Sequence, residues 1–318
     1  MQETPSGVLS EPEKEMKGLV AKVTFQVSTE NIRNLLLSIE GLRHGWWNYD
    51  ELEKRAEYIK RLFQEYGYRV EENLLSFDRR PYRNIIATVN GINSRRDWLL
   101  IGAHYDAAYR SPGADDNGSG VAVMMEVARL LRNTPVAEKI KFVAFTLEEP
   151  QPITWQFLIG SKHFVKEFKK KGYRYRAIIL ESVGYTSGEP HSQQVPPFVK
   201  ASNIGDFLGI ISNKRSRALM KAFEESARLY APSLKTVSLI VPLNGYLLIE
   251  SRFSDHSPFW DKGYEALMLT DTAMFRNPYY HTPEDSSNKL DFNFMTDITK
   301  ALLGFCINYL ATFEVISS

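Results

Sequence analysis

Phe142–Glu149, FVAFTLEE, is a short apolar run that stops on two adjacent glutamates. An apolar run of this length suits a strand covered on both faces of a sheet. Two carboxylates directly after it suit the crevice at the strand's carboxyl end, where an open α/β sheet gathers side chains from distant parts of the chain. A solvated strand end is the plain alternative. Leu99–Asp106, LLIGAHYD, repeats the layout with His104, and Ala177–Tyr185, AIILESVGY, repeats it with Glu181.

Outward from these runs the chain alternates between two periods. Asn31–Ile39 and Asp50–Tyr66 read as amphipathic helices; in the second, Leu52, Ala56, Ile59, Leu62 and Phe63 recur at helical spacing before Gly67. Asn84–Val89 and Trp98–Gly102 are strand-like, joined by a turn at Asn90-Gly91, and Gly118–Leu131 reads as a buried helix. Ser187–Phe207, with Pro190, Pro196 and Pro197, reads as a long loop. Ser216–Tyr230 is helical, Val237–Val241 and Ala266–Leu269 are strands, and Phe292–Phe313 is a closing helix. Strands alternating with helices predict a largely parallel sheet between helical layers, an α/β fold. No composition shift marks a linker, so residues 1–20 are expected to be a loose arm and 21–318 one catalytic domain.

Composition narrows the function classes. Of 318 residues 43% are hydrophobic and 24% charged, and 39 basic against 38 acidic residues leave a net charge of +1. That gives no electrostatic case for nucleic acid or an acidic membrane surface. The most basic stretch, Lys166 to Arg176, reads as a solvated helix end. Cys306 is the only cysteine, so no intrachain disulfide forms. Met1–Lys17 carries four glutamates and no apolar signal core, and no stretch is long enough to span a bilayer. The expected location is cytoplasmic as given, or secreted or periplasmic if a leader has been removed.

His104, Asp116, Glu149, Glu181 and His281 each fall where a strand ends or a turn begins. Two imidazoles and three carboxylates suit two Zn²⁺ ions with one carboxylate bridging, and Glu148 beside them suits a general base for attack of an activated water on an amide. Asp106 is placed to hold the second nitrogen of His104. Each position has an ordinary reading of its own: His104 as a core histidine near a turn aspartate, and Gly113–Gly120, GADDNGSG, as turn and N-cap chemistry. The five taken together favour the metal site. Ser119 lacks the G-x-S-x-G elbow, which speaks against a serine hydrolase. His44, His163 and His191 read as incidental, and Ser254 or Asp255 before His256 as helix caps.

The order His-Tyr-Asp, Gly-Ala-Asp-Asp-Asn-Gly-Ser-Gly, Glu-Glu, Leu-Glu, Ser-Asp-His, Tyr-His-Thr-Pro-Glu-Asp resembles the co-catalytic zinc aminopeptidases of the bacterial leucine aminopeptidase type. Glutamate carboxypeptidase, glutaminyl cyclase and the transferrin receptor ectodomain are related to that family. The likeness runs from about Tyr49 to Leu310 and implies a single-domain three-layer α/β/α fold with a mixed, mainly parallel central sheet. It implies that Asp116 bridges two zinc ions, that His104 and Glu181 complete one site, and that Glu149 and His281 complete the other. Glu148 would be the general acid/base, Tyr280 would donate to the oxyanion, and the Asp116–Asn117 peptide would be cis. Two departures stand out: Glu at 181 where the simplest aminopeptidases carry Asp, and a longer Pro150–Ile159 segment whose Trp155 and Phe157 are expected to wall the pocket.

The resulting expectation is a di-zinc exopeptidase acting on peptides with a free N-terminus. Phe259, Trp260, Met274 and Phe275 point to an apolar first side chain. Three rivals share the scaffold. A glutaminyl cyclase would hold one zinc, and a receptor-like binding module is disfavoured by the complete ligand set. A carboxypeptidase would need a cationic clamp, for which Arg252 and Arg276 are the candidates.

Overall fold

The computed structural model of the chain describes residues 11–196, 199 and 201–317. Its helices are α1 (Glu11–Thr24), α2 (Thr29–Ile39), α3 (Tyr49–Glu65), α4 (Gly120–Leu131), α5 (Ile159–Lys170), α6 (Arg217–Tyr230), α7 (Ser257–Asp261) and α8 (Phe292–Ser317). Its strands are β1 (Arg69–Phe77), β2 (Arg80–Thr88), β3 (Asp97–His104), β4 (Ile140–Phe145), β5 (Arg174–Glu181), β6 (Phe207–Asn213), β7 (Lys235–Val241) and β8 (Glu265–Thr270). The helices follow local rules. Ser28 caps α2 by accepting from the Asn31 N–H, and α3 buries Leu52, Ala56, Ile59 and Phe63 on one stripe before Gly67 ends it at φ 86°.

All eight strands join one sheet in the order β1-β2-β4-β3-β5-β8-β6-β7. The central run β4-β3-β5-β8 is parallel, β2 meets β4 antiparallel and β6 meets β8 antiparallel, so the sheet is mixed. Alternate residues serve two cores, as the two-residue period of a strand requires. On β5, Ile178 and Leu180 face the larger core with α1, α2, α3, α4, α6 and α8, while Ala177 and Ile179 face the smaller one with α5 and α7. The three-layer α/β/α reading holds.

Several local expectations change. The loose arm gives way from Glu11 onward to helix α1, because Val20 and Val23 are buried in the larger core; residues 1–10 lie outside the described residues. Two strands went unread. β1 is an edge strand whose half-exposed Glu71 and Glu72 obscure the alternation, and β6 is interrupted by Gly209. A two-residue turn, Asp78-Arg79, with both φ positive, joins β1 to β2 as a hairpin. The turn at Asn90-Gly91 does not pair β2 with β3, because β4 lies between them.

Lys141 on β4 is the unusual residue of the smaller core. It is fully buried, its Nζ donates to the Tyr175 hydroxyl at 3.1 Å, and it lies 4.7 to 5.1 Å from the ring centres of Trp98, Phe168, Tyr173 and Tyr175. Burial lowers its pKa from 10.5 to about 7, and the ring faces act against that shift. A lysine that binds its proton more weakly when folded costs stability below about pH 7. That cost fades as the pH rises toward 10.5, because the unfolded chain holds the extra proton throughout that window. The melting temperature of Lys141→Met relative to wild type should therefore fall steadily from pH 7 to pH 10; a pH-independent difference would show an unshifted lysine.

Candidate metal centre

The site sits at the carboxyl ends of the parallel strands. His104 ends β3 and Glu181 ends β5, while Glu148 and Glu149 follow β4 after a turn through Leu147 at φ 51°. Asp116 lies in the turn before α4, where the Asp116–Asn117 peptide is cis, and His281, at φ 59°, comes from the segment after β8. The strand ends and the loops beside them thus bring the expected residues to one crevice, buried except at Tyr280 and His281 on its rim.

They converge in two groups that share Asp116: His104, Asp116 and Glu181 in one, and Asp116, Glu149 and His281 in the other. His104 Nε2 is 3.1 Å from Asp116 Oδ1 and 3.4 Å from Glu181 Oε1. His281 Nε2 is 2.9 Å from Asp116 Oδ2 and 3.3 Å from Glu149 Oε1. Each oxygen of Asp116 therefore faces a different group. Glu148 Oε2 stands 3.9 Å from His104 Nε2, beside the first group. Tyr280 stacks on the His281 ring with centres 3.9 Å apart.

The electrostatics are those of a cation site. Burial pushes Glu148 well up from the ordinary carboxylate range, and Glu181 and Glu149 add to it while His104 opposes. Burial likewise raises Glu149 and Glu181. Burial acts on Asp116 in the same sense, but the two imidazoles facing it overcome that and hold Asp116 low. Burial alone would lower the imidazoles. The surrounding carboxylates, Glu181 foremost for His104 and Glu149 for His281, carry His104 well above its usual value and His281 to about 11. Tyr280 is raised too, by burial and then by Asp116, Glu149, Glu181 and Glu148, so its hydroxyl keeps its proton as a donor.

Backbone contacts fix the carboxylates. Asp285 accepts from the N–H groups of Asp115 at 2.9 Å and Asp116 at 3.2 Å, and Asn117 Nδ2 donates to the Leu180 carbonyl at 2.8 Å. Arg43, fully buried, donates to the carbonyls of Tyr105, Gly41, Pro112 and Gly113 and so ties the turn before Asp116 to the end of β3. Gly113 needs its freedom there: φ is 60°, and a Cβ would lie 2.5 Å from the Asp116 carbonyl oxygen. Sequence reading gave no supporting role to Arg43, Asp285 or Asn117; the last two lie inside the quoted motifs, but their partners are set only by the fold, and one arginine between helices carries no pattern.

Other expectations are redrawn. Asp106 lies 3.4 Å from His104 Nδ1, a long contact, and its firm bonds are from the N–H groups of Glu148 and Glu149, both at 3.1 Å. Ser254 is not a cap: its hydroxyl donates to Glu181 Oε2 at 2.6 Å and so steadies the longer acid. Asp255 is buried without a hydrogen-bond partner among the described residues, and burial raises it to about 7. His44 is buried, with Nδ1 accepting from the Trp46 and Trp47 N–H groups, and it is in neither ligand group. Phe259 and Trp260 belong to the smaller core, not the site, whereas Met274 and Phe275 line a cavity beside it. Trp155 is 77% exposed and Phe157 packs on Phe253, so neither walls that cavity. Arg252 is held by Asp261 and the Asn244 carbonyl, Arg276 donates from Nε to Gln193 and from Nη1 to the Tyr185 carbonyl, and neither arginine lines the cavity.

This fold and crevice define a hydrolase class, the metallopeptidases built on an α/β sheet. Residues 84–306 match the model of Peptidase family M28, and the chain belongs to that family; it is a metallopeptidase. It is 31% identical over 276 residues to the uncharacterized protein YfbL of Escherichia coli, covering 82% of this chain and 81% of that one. The structure of the LapA aminopeptidase of Legionella pneumophila superposes with a TM-score of 0.72 at 20% identity, over 97% of this chain and 78% of that one. BSAP, a zinc aminopeptidase from Bacillus subtilis, superposes at 0.54 with 27% identity, over 73% of this chain and 51% of that one.

The Asp106 contacts carry a prediction. Asp106→Ala leaves two buried N–H groups without acceptors, at a cost of about 1–3 kcal/mol each. Urea unfolding should therefore show a stability loss of at least that size, together with reduced turnover. An unchanged unfolding midpoint would mean that the Glu148-Glu149 turn holds itself.

Proposed function

We propose that the protein is a di-zinc aminopeptidase that removes single residues from the free N-terminus of peptides. The observation that carries this reading is the pair of three-residue groups sharing Asp116, with Glu148 alongside. Zinc fits the donor set. Oxygens Asp116 Oδ1 and Glu149 Oε1 are buried without aligned hydrogen-bond donors, although imidazole nitrogens stand within about 3 Å. Donor atoms around a tetrahedral zinc at ~2.0–2.1 Å are themselves roughly 3.3 Å apart. The 2.9–3.4 Å contacts in both groups match that spacing. His104 and Glu181 would hold one ion and Glu149 and His281 the other, with Asp116 between them. BSAP, described as a zinc aminopeptidase, supports the choice of metal.

Bound zinc supplies a Lewis acid for the scissile carbonyl and lowers the pKa of water toward ~7. The protein's own groups do the rest. Glu148, raised by burial and by its neighbours, accepts the proton of the attacking water and returns it to the leaving amine. Tyr280, kept protonated, donates to the oxyanion. Carboxylates crowd the crevice and favour a substrate that brings a cationic or lone-pair α-amine over one that brings a terminal carboxylate, which would need a clamp.

Glu148→Gln should cut turnover by ~10²–10⁴-fold while metal content stays as in wild type. A matching loss of zinc would make Glu148 a ligand. Asp116→Ala should lower metal content at both sites and the melting temperature with it, since the metals favour the folded state; two ions retained would remove the bridging role. The peptide assignment is tested with a short peptide and its N-acetylated form: only the free peptide should be cut, from its N-terminus. Equal cleavage of both, or release from the C-terminus, would overturn it, and one zinc per chain by elemental analysis would favour a cyclase.

A further inference from the structure

A cavity of about 110 Å³ opens from the candidate metal centre, sharing Glu181 and Tyr280 with it. Its floor is one face of the antiparallel end of the sheet. Gly209 and Ile211 of β6 lie beside Met268 and Thr270 of β8, while the opposite face, with Leu208, Ile210, Leu267 and Leu269, is in the larger core. The walls are overwhelmingly apolar, and among the described residues no lysine, arginine or histidine lines them. Two carboxylates do, Glu181 and Glu250. Glu181 is engaged with His104 and Ser254.

Glu250 has no such engagement. It is half-buried in the short turn Ile249–Arg252, and its carboxylate makes no hydrogen bond or ion pair among the described residues. The neighbouring cation, Arg252, gives its guanidinium to Asp261 and to the Asn244 carbonyl instead. An uncompensated carboxylate on the wall of an apolar cavity repels anionic occupants, and its best partner is a cation carried on an apolar stem.

We propose that this cavity receives the first side chain of the substrate, that the side chain is lysine or arginine, and that Glu250 selects it; the proposal rests on the aminopeptidase reading above. The aliphatic stem lies along the floor and walls, and the cationic head meets Glu250. Leucine-like residues satisfy the walls alone.

The test compares the p-nitroanilides of lysine, arginine, norleucine and glutamate on the zinc-loaded wild type and on Glu250→Gln. Norleucine has the lysine stem without its charge. The wild type should favour lysine and arginine over norleucine by about tenfold in kcat/KM, the size of a charge-assisted contact open to some solvent. Glu250→Gln should erase that preference and leave norleucine within about twofold. Equal rates for lysine and norleucine on the wild type, or equal losses on all substrates in the variant, would overturn the proposal. Calorimetric binding of lysinamide and norleucinamide separates it from the aminopeptidase reading. Tighter lysinamide binding that depends on Glu250, with no anilide turned over, would uphold the cavity assignment and remove the aminopeptidase. No difference in binding would remove the cavity assignment.

Discussion

Four carboxylates share one buried crevice, and their mutual repulsion is the constraint around which the remainder is arranged. Asp116, Glu148, Glu149 and Glu181 are all buried, and burial alone would favour the neutral form of each. Two imidazoles alone cannot balance them, which is why His104 and His281 are driven so far toward the protonated form. The proposed pair of zinc ions would balance the cluster. The folding problem is then to hold like charges together before and after the cations arrive.

The chain meets this problem with backbone rather than with countercharge. Asp106 and Asp285, both acids, accept from peptide N–H groups on either side of the cluster, which fixes the turns carrying Glu148, Glu149 and Asp116. Arg43 is a fully buried guanidinium near the site, and it spends its donors on carbonyls, not on the ligands. That choice keeps its charge from neutralising a carboxylate that a metal needs. Burial lowers Arg43 to about 10, with Asp285 and Asp106 opposing, so the guanidinium remains charged at neutral pH.

Much of this was legible in the sequence because sheet geometry translates position into place. His104, Glu148, Glu149 and Glu181 each follow an apolar run, and adjacent parallel strands must bring their carboxyl ends together. What supports them was not legible. Asp106 stands two residues from His104 and lies 3.4 Å from its Nδ1, and it also accepts from the Glu148 and Glu149 N–H groups in the turn after β4, a pairing that depends on sheet order. Ser254 resembles a helix cap in sequence and becomes a brace for Glu181 only once β5 and the turn before α7 are neighbours in space. Phe259 and Trp260 look like pocket residues because they follow a site motif, but their side chains turn into the smaller core. Edge strand β1 was hidden because one of its flanks faces solvent, and its polar residues mask the period.

The change of strand direction at β8 divides the labour of the sheet. On the parallel side, strands β4, β3 and β5 end together, and their last residues gather charge at one rim. On the other side β6 runs against β8, so no row of strand ends is formed, and what the sheet offers is its face. The residues that line the cavity there, Gly209 with Thr270 and Ile211 with Met268, are cross-strand neighbours, and of these four only Ile211 packs against the smaller core of α5 and α7. An apolar cavity is the physical consequence of an uncovered face, just as a carboxylate cluster is the consequence of aligned ends. Glu181 is the last residue of β5 and belongs to both, so one strand end joins the carboxylate cluster to the apolar cavity.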